Sequence, residues 1–222
     1  MDPMYWIEEE EEEPFVVPDD IVDLSFTIRC QALQVDHAYA LAQAVAEALP
    51  WFESEPQAGL HLIHGADSGN GWYRPEEGDA LIYPSRRTPL VLRLPKERVE
   101  DARALTGQTL DLDGFSVEVG EAKERMLSNL TSLYARHVVT EHVDAEERFL
   151  EEAVARLKEM GIKFKKVLGG LPAIFRTPEG PVATRSLLVA GLSIEDAVRL
   201  QQEGIGPYRK MGCGLFIPHK QV

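Results

Sequence analysis

Two groups of residues in this chain have types and spacings suited to chemistry. The first is His37, in Val35-Asp-His-Ala-Tyr39, where an apolar helical period begins. An imidazole with an intrinsic pKa of about 6.5 can give or take a proton near neutrality. At the first turn of a helix it also stands where backbone N–H groups and the dipole attract phosphate. A histidine packed at a helix end is the alternative. Tyr39 is a second candidate, although residues two apart do not share a helix face. The second group is Gly204-Ile-Gly-Pro-Tyr-Arg-Lys-Met-Gly-Cys-Gly214, in which Gly204, Gly206, Gly212 and Gly214 surround Arg209 and Lys210. Glycines allow close backbone approach, successive N–H groups make an anion-binding concavity, and basic side chains suit phosphate. The bland reading is a glycine-rich connection with a solvated Arg-Lys tip. Neither a Walker loop nor a Rossmann fingerprint fits, because the order here is helix, glycine loop, strand.

Further candidates are weaker alone. Ser85-Arg86-Arg87 sets a hydroxyl and two guanidiniums just before a strand, or is a solvated loop. Lys165, Lys166 and Arg185 lie on segments whose strand faces suit a polyanion. His61 and His64 stay in play as a pair beside a strand end, with His64 read as structural or ligand-facing. His137, His142 and His219 have no sequence partner that singles them out. Cys30 and Cys213 form neither a disulfide framework nor a zinc spacing, and no HExxH occurs, so no metal or cofactor is expected.

Charge is placed unevenly. The formal net charge is −14, yet residues 1–23 hold ten acids and no Lys or Arg, leaving −4 for the rest. From Gly161 to Val222, nine bases face four acids. Such asymmetry is linked to nucleic-acid binding, so the overall sign does not exclude a polyanion partner. No secretory or membrane-length apolar segment is seen, which makes a cytoplasmic location the default and a membrane partner unexpected.

The elements that must position these groups repeat one order. Residues 1–20, with Glu8 to Glu13, read as an acidic, poorly ordered leader, or else as a phosphate mimic that screens a basic face. In residues 21–120, alternation from Ile21 to Cys30 predicts a strand, and Asp36 is a plausible N-cap for a helix ending at Pro50. A strand at Gly59–His64 follows. Gly65–Arg74 reads as a loop, and Leu81–Tyr83 as a possible short strand. A strand at Pro89–Leu94, a helix at Lys96–Leu105 and a hairpin about Asp113-Gly114 complete the unit. In residues 121–222 the pattern predicts a strand at 122–140, a helix at Ala145–Met160 and a strand at Lys163–Leu168. Then come a hairpin with its tip at Pro178-Glu-Gly180, a helix capped by Ser193, the glycine loop, and a last strand at Leu215–Pro218. The fold class is α+β, with two tandem β-α-β-β-α-β ferredoxin-like domains behind the acidic leader.

That order, a histidine opening the first helix and the glycine loop before the last strand resemble the CRISPR-associated repeat-processing endoribonucleases of the RAMP superfamily. Val-Asp-His-Ala-Tyr-Ala-Leu and Leu-Ile-His-Gly-Ala-Asp-Ser-Gly-Asn-Gly-Trp are similar to the MYXAN-type subgroup. The resemblance implies binding of CRISPR repeat RNA, usually as a hairpin. It further implies one metal-independent cut through the RNA's own 2′-OH, leaving a cyclic phosphate, and retention of the product with other CRISPR-associated subunits. His37, with Tyr39 or Ser85 as second group, would then be catalytic. Arg86, Arg87, Lys165, Lys166, Arg185, Arg209 and Lys210 would contact RNA. A non-catalytic RNA-binding RAMP subunit and a ferredoxin-like small-molecule or regulatory domain pair are the competing readings.

Overall fold

A computed structural model of the chain describes residues 15–64 and 80–219. The glutamate run, the Gly65–Arg74 loop and Lys220 lie outside the described residues. The first unit is built on β1 (Ile21–Arg29), whose Val22, Leu24, Phe26 and Ile28 are buried on one face. This is the two-residue period that alternation dictates. It is followed by β2 (Leu33–Gln34), α1 (Ala38–Ala48), β3 (Gly59–His61), β4 (Leu81–Ile82), β5 (Pro89–Pro95), a short α2 (Val99–Ala102), β6 (Thr109–Leu112) and β7 (Phe115–Met126). The main sheet runs β3-β5-β1-β7-β6, antiparallel throughout. The Asp113-Gly114 turn takes positive φ at both residues, as a tight hairpin requires. The short strand β4 pairs with β2 in a separate two-stranded sheet.

The second unit repeats the plan with β8 (Ser132–Val139), α3 (Glu146–Glu159), β9 (Lys166–Thr177), β10 (Gly180–Ala190), α4 (Ile194–Glu203) and β11 (Phe216–Pro218). Its sheet order is β11-β8-β10-β9. β1 and β5 are interior neighbours in the first sheet, and β8 and β10 in the second, which is the ferredoxin-like arrangement. The Ser193 side chain accepts from the Asp196 N–H at 3.0 Å to start α4, and Gly204 at φ 67° ends it. Among the described residues no helix is long and apolar enough to cross a membrane.

Three expectations need correction. The domain boundary at 120/121 falls inside β7, which continues along β1 to Met126, so residues 121–126 belong to the first sheet. The stretch 163–168 is not a strand of its own, because β9 begins at Lys166 and runs unbroken to Thr177. Both errors sit at bulges that interrupt alternation, with Gly120 pressed against Thr27 and Gly170 against Ser186 where a Cβ would overlap. Asp36 is not the N-cap of α1. Its Oδ2 accepts instead from the Arg176 backbone N–H at 2.9 Å, tying the β9–β10 tip to the first unit.

The two units share their packing. Phe175, Val182, Met211 and Cys213 of the second join the core of the first. Arg93, 1 % exposed, reaches across from β5. Its Nε and Nη2 donate to the Asp23 carboxylate at 2.8 and 2.9 Å, and its Nη1 donates to Gln201 O and Phe216 O at 2.9 and 2.8 Å. Burial alone would raise the Asp23 carboxyl, but the Arg93 charge and hydrogen bonds bring it below the ordinary carboxylate range.

Candidate active site

The glycine loop is docked on the edge of the first sheet. Gly212 takes φ +81° and a Cβ there would lie 2.6 Å from Leu62 Cγ, so the missing side chain is what lets the loop lie against the chain of β3. Gly214, at φ +69°, turns back so closely that a Cβ would overlap Ile205 O. Its N–H donates to His137 O at 2.7 Å, and the Ile205 N–H donates to Gly214 O at 3.1 Å. Much of the loop's backbone is therefore engaged internally. The exception is the tip. Tyr208 sits in the left-handed region ahead of a 3₁₀ turn at Arg209–Met211. Among the described residues the N–H groups of Tyr208, Arg209 and Lys210 have no protein acceptor. A left-handed residue followed by helical ones aligns such groups into an anion-binding nest.

The two basic residues of the loop point elsewhere than the sequence suggested. The Arg209 guanidinium donates to the carbonyls of Glu203, Gln202 and Gln57, joining the end of α4 to the first unit. Burial, with Arg93 nearby, pushes it down to about 10, against the pull of Glu203. Lys210 Nζ donates to Glu53 O. Arg185 is likewise taken: it donates to Val143 O at 2.6 Å and to Glu146 Oε2 at 3.1 Å. Both arginines are thus spent on contacts within the protein. Lys165 and Lys166 are exposed at the start of β9, away from α1. Arg86 and Arg87 are exposed on a turn held by Ser85, whose Oγ lies 3.2 Å from both Thr88 Oγ1 and the Arg87 N–H it accepts.

His37 is the N-cap of α1 and is 4 % exposed. Its Nδ1 lies 2.8 Å from Gln34 O and 3.1 Å from Val35 O, so Nδ1 carries the proton. Nε2 is left as acceptor and receives the Ile63 N–H at 3.1 Å. Carbonyls that fix the tautomer and orient the ring are what a catalytic histidine working through Nε2 needs. Tyr39 faces a groove of about 670 Å³ between α1 and the loop, shared with Gln43, Glu53, Tyr208, Lys210 and the β9–β10 tip.

Beside this groove the two sheets enclose a cleft of about 280 Å³ that sequence reasoning did not assemble. His61, His64 and His137 line it together with Asp23, Arg125 and Arg136. Desolvation and the Arg93 charge push His61 down to about 4, although Asp23, 3.8 Å away, opposes them. His61 is therefore neutral at pH 7. His137 Nδ1 lies 3.2 Å from Thr184 Oγ1, whose own hydroxyl donates to Ala173 O, and its ring packs on Phe175 at 4.6 Å. Arg125 was missed because the stretch 122–140 was read as a strand of the second unit, whereas residues up to Met126 pair with β1. The pairing of Lys123 and Arg125 with Ser25 and Asp23 is long-range, and the alternation already read there did not reveal it.

A family model described as Cas6 Crispr matches residues 22–221. The CRISPR-associated endonuclease Cas6 of Myxococcus xanthus (strain DK1622) is 30 % identical over 197 residues, covering 89 % of this chain and 81 % of that protein. A solved CRISPR-associated protein Cas6 superposes with a TM-score of 0.62 at 14 % identity, over 90 % of this chain and 100 % of that one. A RAMP protein binding different RNA substrates gives the same values. A Cas6-related protein from Pyrococcus furiosus gives 0.56 at 12 % identity, over 88 % and 97 % of the two chains. At these identities the structures speak to the fold, and they agree on the tandem ferredoxin-like plan. With a family model spanning nearly all of the described chain, this protein belongs to the Cas6 family.

Proposed function

We infer that this chain is an endoribonuclease that cuts CRISPR repeat RNA. The observation that carries the reading is the meeting of three features along β3: an oriented histidine at a helix N-terminus, the docked glycine loop, and a cleft lined by Arg125 and Arg136. The curated Myxococcus relative, named as a CRISPR-associated endonuclease, supports it. In the proposed reaction a base takes the proton of the RNA 2′-OH, and that oxygen attacks the adjacent phosphorus. The P–O5′ bond breaks, an acid protonates the leaving 5′-oxygen, and a 2′,3′-cyclic phosphate remains. No metal takes part. His37 acts through Nε2, which exchanges the Ile63 N–H for the substrate. Tyr39 is the second group, placed on the loop groove with Lys210. Loop-tip N–H groups stabilise charge on the phosphate, where preorganised donors act most strongly. Arg86, Arg87, Lys165 and Lys166 extend the footprint on a hairpin RNA, and the product stays bound for other CRISPR-associated subunits in the cytoplasm.

One observation favours a second reading, a non-catalytic RNA-binding subunit: both ring nitrogens of His37 are engaged by backbone groups. Incubating the protein with repeat RNA and EDTA separates the two. A single cut ending in a cyclic phosphate is expected. Intact RNA that stays bound would establish the binding subunit instead.

A further inference from the structure

One row of side chains on the second sheet takes no part in this chemistry. Strand register aligns Leu168, Leu188, Tyr134 and Ile217, one from each strand. Their neighbours Leu133, Ala135, Leu187 and Val189 pack against the helices, so the row lies on the opposite face. Four strands at the usual spacing make it about 14 Å wide. Leu168 is 43 % exposed, and Leu188, Tyr134 and Ile217 are half-buried. At one end Ile217 lines the cleft between the sheets, and at the other Leu168 lies on the free edge strand β9.

Polar and charged groups frame the row. The exposed His219 ring lies 6.1 Å from the Tyr134 ring at 42°, and the His219 backbone N–H donates to Ser132 O at 2.9 Å. Register places Lys166 in the adjoining row, opposite Ala190 and Ser132. On the other side Arg136, two residues along β8 from Tyr134, lines the cleft.

We propose that this row is a platform for a single-stranded part of the RNA substrate, with one base stacked on Tyr134 beside His219 and its flanking phosphates near Lys166 and Arg136. The proposal rests on the RNA-processing reading above. A protein-docking patch is depleted of charge at its centre and uses aliphatic and aromatic anchors in pockets. Here a central tyrosine lies on an open sheet between two cations, and the row continues into the basic cleft. Duplex RNA keeps its base faces stacked within the helix, so a single strand is the form that offers them to an aromatic ring.

The test compares repeat RNA with and without a single-stranded flank, the flank carrying 2-aminopurine, whose fluorescence is quenched by stacking. Tyr134→Leu keeps the apolar volume and removes the aromatic face. It is expected to weaken flanked RNA about 5- to 150-fold, as loss of one base–aromatic stack does, and to abolish the quenching. Tyr134→Phe retains both. RNA without the flank binds all three proteins alike, and the cleavage rate at saturating RNA is unchanged. If Tyr134→Leu binds flanked RNA as the wild type does, or still quenches it, the platform is overturned. Wild-type protein that binds neither RNA would sink the processing reading itself, a result distinct from failure of the platform alone.

Discussion

The glycine loop and the histidine cleft lie side by side and are built in opposite ways. In the loop, backbone groups and the Arg209 side chain satisfy one another, and the glycines permit contacts too close for any Cβ. In the cleft, imidazoles and guanidiniums from both sheets face a shared space. The loop looked like the place where phosphate is gripped by side chains. Its geometry makes it chiefly a joint between the two units. A basic residue among glycines is thus ambiguous until its hydrogen bonds are known, because carbonyls at a helix end compete with phosphate for the same donors.

That contrast can be broken by substitution, and the largest effect is expected at the joint between the units. Arg93→Met leaves the Asp23 carboxylate and two carbonyls without their donor, and should cost about 3–5 kcal/mol by denaturant titration. Next is Gly214→Ala, which forces a Cβ against Ile205 O at positive φ and should cost about 3 kcal/mol. Arg209→Ala follows at about 2 kcal/mol, for three carbonyls deprived of a charged donor. Its log–log salt slope for RNA binding should stay as in the wild type. A slope flattened by a full phosphate contact would restore Arg209 to the grip. Arg125→Ala should show the reverse pattern, with an unchanged melting temperature and a salt slope lowered by about 1.

The smallest effect concerns His61. Its folded value of about 4 lies below the free-histidine value of about 6.5, so the unfolded chain binds the proton first as the solution is acidified. The contribution is complete above that upper value and is lost as pH falls from about 6.5 to about 4. His61→Asn should flatten the decline in stability across this window. A wild-type slope in the variant would mean that the acid sensitivity arises elsewhere.

Element order was legible in the sequence because each strand and helix carries its own period and its own stop. Gly161, Gly204, Ser193 and Asp113-Gly114 all act where local chemistry placed them. What escaped was non-local. The bulges at Gly120 and Gly170 broke the alternation and displaced a domain boundary. The histidine cleft combines residues from β1, β3, β7 and β8, and no spacing along one strand announces it. His37 was visible as a helix-opening histidine, but its bond to Ile63 depends on where β3 ends.

The most direct measurement is single-turnover cleavage of repeat RNA by His37→Ala, with RNA affinity measured in parallel. Loss of a positioned general acid or base predicts a rate about 10²- to 10⁴-fold below wild type, with affinity nearly unchanged. A variant that cuts at the wild-type rate would contradict the assignment and move the chemistry to the histidines of the cleft.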